Sequence, residues 1–190
     1  MIKYSPFPVL FNFFSFKVYS DLLILAIAII FSLIMIAKEI KKVQKGGKKP
    51  KHLVIAEISD LSSPYIALGL AVYMLGLFMR WKGYGKPALF PLAVWVNGIP
   101  YHPVEIYLFL GYIGIFFALL SLIRTNSKLL KKKGDLFLIF LLSYAALNFI
   151  IGFFRLYPSK DFTFGLAAHQ WFSISILFVS LAALILNKKK

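Results

Sequence analysis

Polar residues with catalytic potential cluster in the string YHPVEIY, residues 101–107, within an otherwise apolar sequence. His102 and Glu105 lie three residues apart and therefore share one face of a helix. An imidazole titrates near neutral pH, so His102 could act as a general base with the Glu105 carboxylate as its orienting partner. The spacing also fits an interfacial capping box, in which Glu105 binds a free backbone amide at the start of a helix. Both interpretations stay open at this point.

Basic residues lie in the two segments that follow the second and fourth apolar stretches. They are Arg80, Lys82, Lys86 and Arg155. Arginine binds phosphate in bidentate fashion, so such a cluster suits the phosphate of a lipid headgroup. The alternative for Arg155 is structural, with its side chain snorkelling from a helix end to the membrane interface.

Glu57 and Asp60 form a second polar pair, again three residues apart. A charge at the centre of a membrane helix costs about 2.5–3.5 kcal/mol, so the pair is predicted to mark the cytoplasmic end of a helix. Pairing with lysines such as Lys49 or Lys51 would then neutralise the carboxylates. A catalytic role is disfavoured, because the other polar residues are predicted on the opposite side.

The composition requires that lipid cover most of the chain. Of its 190 residues 60% are hydrophobic, and the mean hydropathy of +0.80 lies outside the range of water-soluble domains. The net charge of +15 does not indicate nucleic-acid binding, because the basic residues collect between apolar segments. The lack of cysteine excludes disulfides, and His52, His102 and His169 are too far apart for a helix-face metal pair. We therefore expect neither a metal nor another cofactor.

Five apolar segments have about the 20 residues that a membrane helix needs. They run over residues 19–37, 53–79, 102–123, 136–154 and 164–186. The predicted fold is all-α, a polytopic transmembrane bundle of about five helices. Pro64 and the acidic pair interrupt the second segment, which is expected to enter tilted or broken. Four glycines are expected to permit close helix packing, namely Gly69, Gly76, Gly111 and Gly114.

Charge asymmetry sets the predicted orientation in the membrane. Fifteen of the 22 basic residues lie in segments 38–52 and 124–134 and in the last three residues, whereas seven lie in segments 1–18, 80–101 and 155–163. The positive-inside rule then places the N-terminus outside and the C-terminus in the cytoplasm. The whole chain is interpreted as one transmembrane domain of the plasma membrane. Its first 18 residues form an interfacial segment rather than a cleaved signal peptide, and residues 80–101 form an extracytoplasmic loop.

The order of motifs along the chain resembles prolipoprotein diacylglyceryl transferase, the membrane enzyme that lipidates the cysteine of bacterial lipoprotein precursors. EISDLSSPYIALG, residues 57–69, is similar to the run ahead of the family signature. MLGLFMRWKGYGKP, residues 74–87, resembles that signature, approximately RIGNFINGELYGRP, and YHPVEIY is similar to HPxQLYE. YAALNFIIGFFR, residues 144–155, resembles YGxxRFxxExFR, and FGLAAHQWFS, residues 164–173, is similar to the closing glutamine and serine motif. The likeness spans about residues 57–175.

Several polar residues of these motifs are replaced. Where the signature has arginine, asparagine and glutamate, the chain has Met74, Leu77 and Lys82. Glu105 replaces the HPxQ glutamine. In the later motif, Asn148 and Gly152 replace the arginine and the glutamate. The His-Gly-Gly helix region of the family is replaced by the basic loop 38–52. The chain thus resembles a shortened, divergent member that lacks much of the catalytic signature.

The resemblance implies transfer of a diacylglyceryl group from phosphatidylglycerol to the lipobox cysteine of a lipoprotein precursor, with release of a glycerol phosphate. In this hypothesis His102 is the base and Glu105 orients it. The phosphate is held by Arg80 and Arg155, with Lys82 or Lys86 assisting. The pocket is lined by Tyr84, Tyr107, Asn148 and Gln170.

Two alternatives follow from the replaced residues. A different donor, such as an ether-linked glycerolipid, would account for an altered pocket. The chain could instead be a catalytically inactive relative that binds lipid or lipoprotein, or an accessory subunit of a membrane lipid-processing complex. Nucleic acid is not an expected partner, and nothing in the sequence indicates an oligomeric state.

Overall fold

Five α-helices dominate the computed structural model, which describes residues 9–13, 16–45, 55–80, 84–89, 93–125, 127, 129–130, 132–157 and 162–189. The helices are α1 (Ser20–Lys45), α2 (Ile55–Arg80), α3 (Val104–Arg124), α4 (Asp135–Gly152) and α5 (Ala168–Lys189). The last four contain stretches long and apolar enough to cross a membrane. The described apolar stretch of α1, Leu23–Lys38, is shorter, although the helix itself has 26 residues. The predicted all-α, polytopic bundle is confirmed, and the protein is a multi-pass membrane protein.

The second apolar segment was expected to be tilted or broken, and the break is wrong, because α2 runs through Pro64 without interruption. Membrane helices tolerate proline where neighbouring elements and side chains support the backbone. Pro64 is fully buried in the bundle, and the hydroxyl of Ser32 on α1 donates a 3.1 Å hydrogen bond to the Tyr65 carbonyl next to it. Packing against α1 thus supports the helix at the point where a break was expected.

Close packing at glycine explains how α2 and α3 meet their neighbours. A Cβ atom built on Gly69 would lie 2.5 Å from Ser32 Oγ of α1, and one on Gly76 would lie 2.8 Å from Ile24. A Cβ on Gly111 of α3 would lie 2.5 Å from Leu147 of α4. The packing role predicted for these three glycines is confirmed. For Gly114 it is wrong, because among the described residues nothing lies within 4 Å of a Cβ built there.

The core lies between α2, α3 and α4. One cluster of buried side chains joins Ala67, Leu119 and Phe140, and a second joins Ala71, Leu108 and Tyr112. The Tyr112 ring stacks on Tyr144 of α4 at a centroid distance of 5.9 Å. The three helices therefore fix the relative positions of their ends, where the polar residues lie.

Polar contacts show which helix ends lie together. Asp60, near the start of α2, accepts hydrogen bonds from the backbone amides of Gly134 (2.6 Å) and Phe137 (2.8 Å) at the start of α4. Asn187, near the end of α5, donates a 3.3 Å hydrogen bond to Asp135. Lys133 pairs with Glu57 at 2.9 Å. The acidic pair thus binds the α3–α4 connection, whereas Lys49 and Lys51 lie outside the described residues.

Three two-stranded hairpins complete the described part of the chain. β1 (Val9–Phe13) pairs with β2 (Phe16–Tyr19), β3 (Val94–Val96) with β4 (Ile99–Tyr101), and β5 (Phe162–Thr163) with β6 (Leu166–Ala167). The first lies in the predicted interfacial segment and the second in the predicted 80–101 loop. The second turns at Asn97 and Gly98, whose positive φ values of 50° and 82° match the tight turn that twisted strands favour.

Candidate functional site

The candidate site lies at the end of the bundle where α2 and α4 end and α3 and α5 begin, which we call the loop end. Here the backbone of segment 84–88 forms hydrogen bonds with the residues before α3 and with those after α4. On one side the amide of Gly85 donates to the His102 carbonyl at 2.8 Å, and on the other the Lys86 amide donates to the Phe154 carbonyl at 2.7 Å. A Cβ atom on Gly85 would collide with the Phe154 carbonyl and with the His102 and Val104 side chains. Glycine therefore lets this segment pass between α3 and the end of α4.

His102 precedes α3 and faces aromatic neighbours. Its Nδ1 lies 3.0 Å from the Tyr107 hydroxyl, and its ring packs edge-on against Phe154 at a centroid distance of 5.1 Å. Tyr107 was predicted to line the pocket, and its hydroxyl lies within hydrogen-bond distance of His102, the predicted base. The Tyr107 hydroxyl can thus orient this imidazole, a role that the sequence assigned to Glu105.

Glu105 is a buried carboxylate in the first turn of α3, with 4% of its surface exposed. The helix cap is Pro103, which has no amide hydrogen to offer, so the capping box considered from the sequence does not form in its usual way. Glu105 binds its own backbone amide instead, and it interacts electrostatically with Arg155. Its carboxylate therefore acts on the guanidinium that follows α4.

Arg155 is the shared partner of the polar groups at the loop end. The guanidinium acts electrostatically on Glu105 and Tyr112 of α3, on Tyr157 and on His169 of α5. We call these five residues the Arg155 cluster. An antiparallel bridge to Gly85 anchors the Arg155 backbone to the 84–88 segment. Arg155 is half-buried, so it is more than the solvent-facing helix anchor considered from the sequence.

Tyr157 connects Arg155 to His169. Its hydroxyl accepts a hydrogen bond from the Arg155 side chain and lies 2.8 Å from Nδ1 and 2.9 Å from Nε2 of His169. Burial raises the pKa of the Tyr157 phenol above its usual value, and the neighbouring guanidinium opposes that shift. Sequence reasoning gave neither Tyr157 nor His169 a role. The available signal was that a histidine lies near the start of the fifth apolar segment, directly before Gln170.

The predicted pocket residues lie in different surroundings. The Asn148 side chain donates a 2.8 Å hydrogen bond to the Tyr112 hydroxyl. The buried Gln170 side chain accepts a hydrogen bond from the Ala167 amide and donates one to the Phe149 carbonyl. Both side-chain amides therefore support the packing of the helices. Tyr84 lines a small cleft with Phe78, Val94, Pro103 and Glu105, which has room for about one water molecule.

Of the basic residues predicted to hold phosphate, the structure describes the side chains of Lys86 and Arg155. Lys86 is exposed on the 84–88 segment, next to the anchored Arg155 backbone. The Arg80 side chain and all of Lys82 lie outside the described residues. Among the described cations of the predicted set, Arg155 is therefore the one within the polar cluster.

Comparison with known proteins identifies the family. The family model for prolipoprotein diacylglyceryl transferase matches residues 47–186. The chain belongs to the prolipoprotein diacylglyceryl transferase family. Three relatives carry the name phosphatidylglycerol–prolipoprotein diacylglyceryl transferase. The one from Azoarcus sp. (strain BH72) is 30% identical over 139 residues, covering 67% of this chain and 50% of the relative. The relative from Finegoldia magna is 28% identical over 142 residues, covering 75% of this chain and 55% of the relative. The relative from Bordetella parapertussis is 33% identical over 135 residues, covering 67% of this chain and 50% of the relative.

The chain spans about half the length of these curated transferases. Two of its departures from the transferase motifs lie at packed positions. Met74, in place of the signature arginine, packs against the apolar cluster of Ala71 and Leu108. At Gly152, in place of the later motif's glutamate, a Cβ atom would lie 2.8 Å from Gln170 and from the His169 ring. His169 thus lies against the position where that glutamate side chain would begin.

Proposed function

We propose that this member of the diacylglyceryl transferase family moves a glycerolipid group from a phospholipid to the cysteine thiol of a lipoprotein precursor. The observation that carries the proposal is the Arg155 cluster at the loop end. There a half-buried guanidinium bonds to Tyr157 and acts electrostatically on side chains of α3 and α5. A guanidinium in such a water-poor position binds phosphate more strongly than one in bulk water.

The reaction needs a cation for the phosphate that departs and a base for the thiol, whose free pKa is about 8.5. Arg155 supplies the cation, with Lys86 at the rim and Arg80 and Lys82 as further proposed contacts. A histidine at the loop end takes the thiol proton. From the sequence this is His102, with Glu105 as its orienting partner. Tyr84, Tyr107, Asn148 and Gln170 surround these groups in this proposal.

The acceptor is a precursor with a lipobox cysteine, which supplies the thiol that this cysteine-free chain lacks. The donor is phosphatidylglycerol or an ether-linked glycerolipid with the same phosphate. Headgroups and precursor would meet at the extracytoplasmic face of the plasma membrane, in agreement with the positive-inside orientation.

The second candidate is an inactive relative that binds lipid or lipoprotein, or an accessory subunit of a lipid-processing complex. Two observations favour it. Met74 contributes apolar packing where the motif has arginine, and the Asn148 amide, where the motif has its second arginine, is bonded to Tyr112 and to the Tyr144 carbonyl. Neither residue can replace a guanidinium in phosphate binding.

A reconstituted assay separates the two candidates. The purified chain is mixed with a lipobox peptide in vesicles of phosphatidylglycerol or of an archaeal ether-linked phosphatidylglycerol, and mass spectrometry follows the cysteine. We expect a mass gain of one diacylglyceryl or dialkylglyceryl group, reduced about 100-fold or more in Arg155→Ala. Arg124→Ala, an exposed arginine at the opposite end of α3, serves as the matched control and should keep the wild-type rate. No gain with either lipid would reject the transferase and leave the binding relative.

A further inference from the structure

The two ring nitrogens of His169 lie within hydrogen-bond distance of the same phenol, that of Tyr157. A neutral imidazole carries its hydrogen on one nitrogen and presents a lone pair on the other. The Tyr157 hydroxyl lies within 2.9 Å of both nitrogens and is the donor at hand for that lone pair.

The same chain of hydrogen bonds continues to Arg155. The guanidinium has donors only, so its bond to Tyr157 uses the phenol oxygen as acceptor. Arg155 therefore donates to Tyr157, and Tyr157 can donate to His169. This leaves a route for a proton from the phenol oxygen to whichever ring nitrogen of His169 carries the lone pair.

The packing keeps His169 in this position. Its ring lies against Gly152, where a Cβ atom would come within 2.8 Å of Cε1 and Nε2, and its half-buried side chain opens the first turn of α5. The groups that act on it are Tyr157 and Arg155, while Glu105 and Tyr112 of α3 act on the same guanidinium. By comparison, the hydroxyl at 3.0 Å from His102 is that of Tyr107, in an aromatic setting with Phe154.

We infer that Tyr157 and His169 form the proton relay of the site, with His169 rather than His102 as the final acceptor. This inference rests on the proposed transferase function. The thiol proton passes to the Tyr157 oxygen as the phenol proton moves to the free nitrogen of His169. The thiolate sulfur forms a bond to the glyceryl carbon of the donor, and the carbon–oxygen bond to the phosphate breaks. The departing glycerol phosphate keeps that electron pair, Arg155 stabilises its charge, and it takes up the proton from His169.

The relay is tested by the pH dependence of transfer in the reconstituted system described above. At pH 7 we expect His169→Asn and Tyr157→Phe each to lower the turnover number about 100-fold or more, the usual contribution of a general base. At pH 9.5 most of a free thiol is already ionised, so the deficit should shrink to less than about tenfold. Added imidazole should raise the rate of His169→Ala at pH 7. Ser175→Ala, an exposed serine of α5, is the matched control and should behave as wild type at both pH values.

The outcomes separate the inference from the function on which it rests. An active wild type with unchanged activity in His169→Asn would overturn the relay alone. A deficit that is the same at both pH values and is not relieved by imidazole would do so too, because it would indicate a structural role. His102→Asn, measured in parallel, shows the pH-dependent deficit only if His102 is the acceptor. An inactive wild type would overturn the proposed function and the relay together.

Discussion

The Asp60 carboxylate caps α4, whose N-cap residue Gly134 lies 74 residues further along the chain. Its two oxygens accept hydrogen bonds from the amides of Gly134 and Phe137, the cap and the third residue of α4. These are the positions that a local capping side chain would satisfy. Gly134 itself has no side chain and a φ of 96°, so α2 supplies the cap from another helix.

Removal of this cap should destabilise the bundle. Asp60→Ala leaves both amides without their partner, and we expect a loss of about 1–2 kcal/mol in the free energy of unfolding. The measurement is a denaturant titration in detergent micelles followed by circular dichroism. Lys132→Ala is the control, because its side chain is exposed and such surface substitutions change the free energy of unfolding by about 0.5 kcal/mol or less. Equal losses in the free energy of unfolding in both variants would show that the cap contributes no more to stability than the control side chain does.

Two glycines on α3 give a matched test of helix packing. Gly111→Leu would force a side chain into Leu147 of α4, and overpacking of this kind costs about 1–3 kcal/mol. Gly114→Leu places the same side chain on an exposed position, where we expect a change of about 0.5 kcal/mol or less. The same unfolding titration compares the two. A similar loss in both variants would contradict the structure, in which position 111 packs against α4 and position 114 does not.

The sequence predicts the helices well because the bilayer imposes their length. Each predicted segment overlaps a helix, and most observed ends differ by a few residues, as for α5, which begins at Ala168 instead of Phe164. The exception is α1, which continues to Lys45, so the predicted loop 38–52 is wrong in its first half. The first residues of that segment form the turn and second strand of hairpin β5–β6, and the turn has Phe164 and Gly165 at φ values of 51° and 79°. Apolar composition alone does not distinguish such a turn from the first turn of a helix.

The site is predicted only in part because its contacts depend on tertiary structure. Arg155 and Glu105 could be selected as polar residues at predicted helix ends, and the structure places them in one cluster. The Tyr157–His169 contact could not be read from spacing, because it depends on how hairpin β5–β6 returns the chain to α4. Similarly, which of Gly111 and Gly114 faces α4 depends on the rotation of α3 in the bundle.

Gly85 is predicted to hold the 84–88 segment in the site. Gly85→Ala would drive a methyl group into the Phe154 carbonyl, and backbone cannot move aside as a side-chain end can. We expect faster hydrogen exchange at the amides of residues 85 and 86 and a transfer rate at least about tenfold lower, because small displacements at a site are costly. Leu89→Ala, at a position that is 87% exposed, is the control. Unchanged exchange at these two amides would show that the segment accommodates a side chain.

The alkaline titration of Tyr157 tests whether its phenol is as buried as the structure shows. Burial raises its pKa above the usual value of about 10, so the folded protein holds this proton to a higher pH than the unfolded chain does. The resulting stabilisation is fully present below pH 10 and is lost as the pH rises through the raised pKa. The absorbance change near 295 nm, wild type minus Tyr157→Phe, should therefore have its midpoint above pH 10. A midpoint at or below 10 would mean that the Arg155 guanidinium outweighs burial, and that Tyr157 gives up its proton more readily than its surroundings indicate.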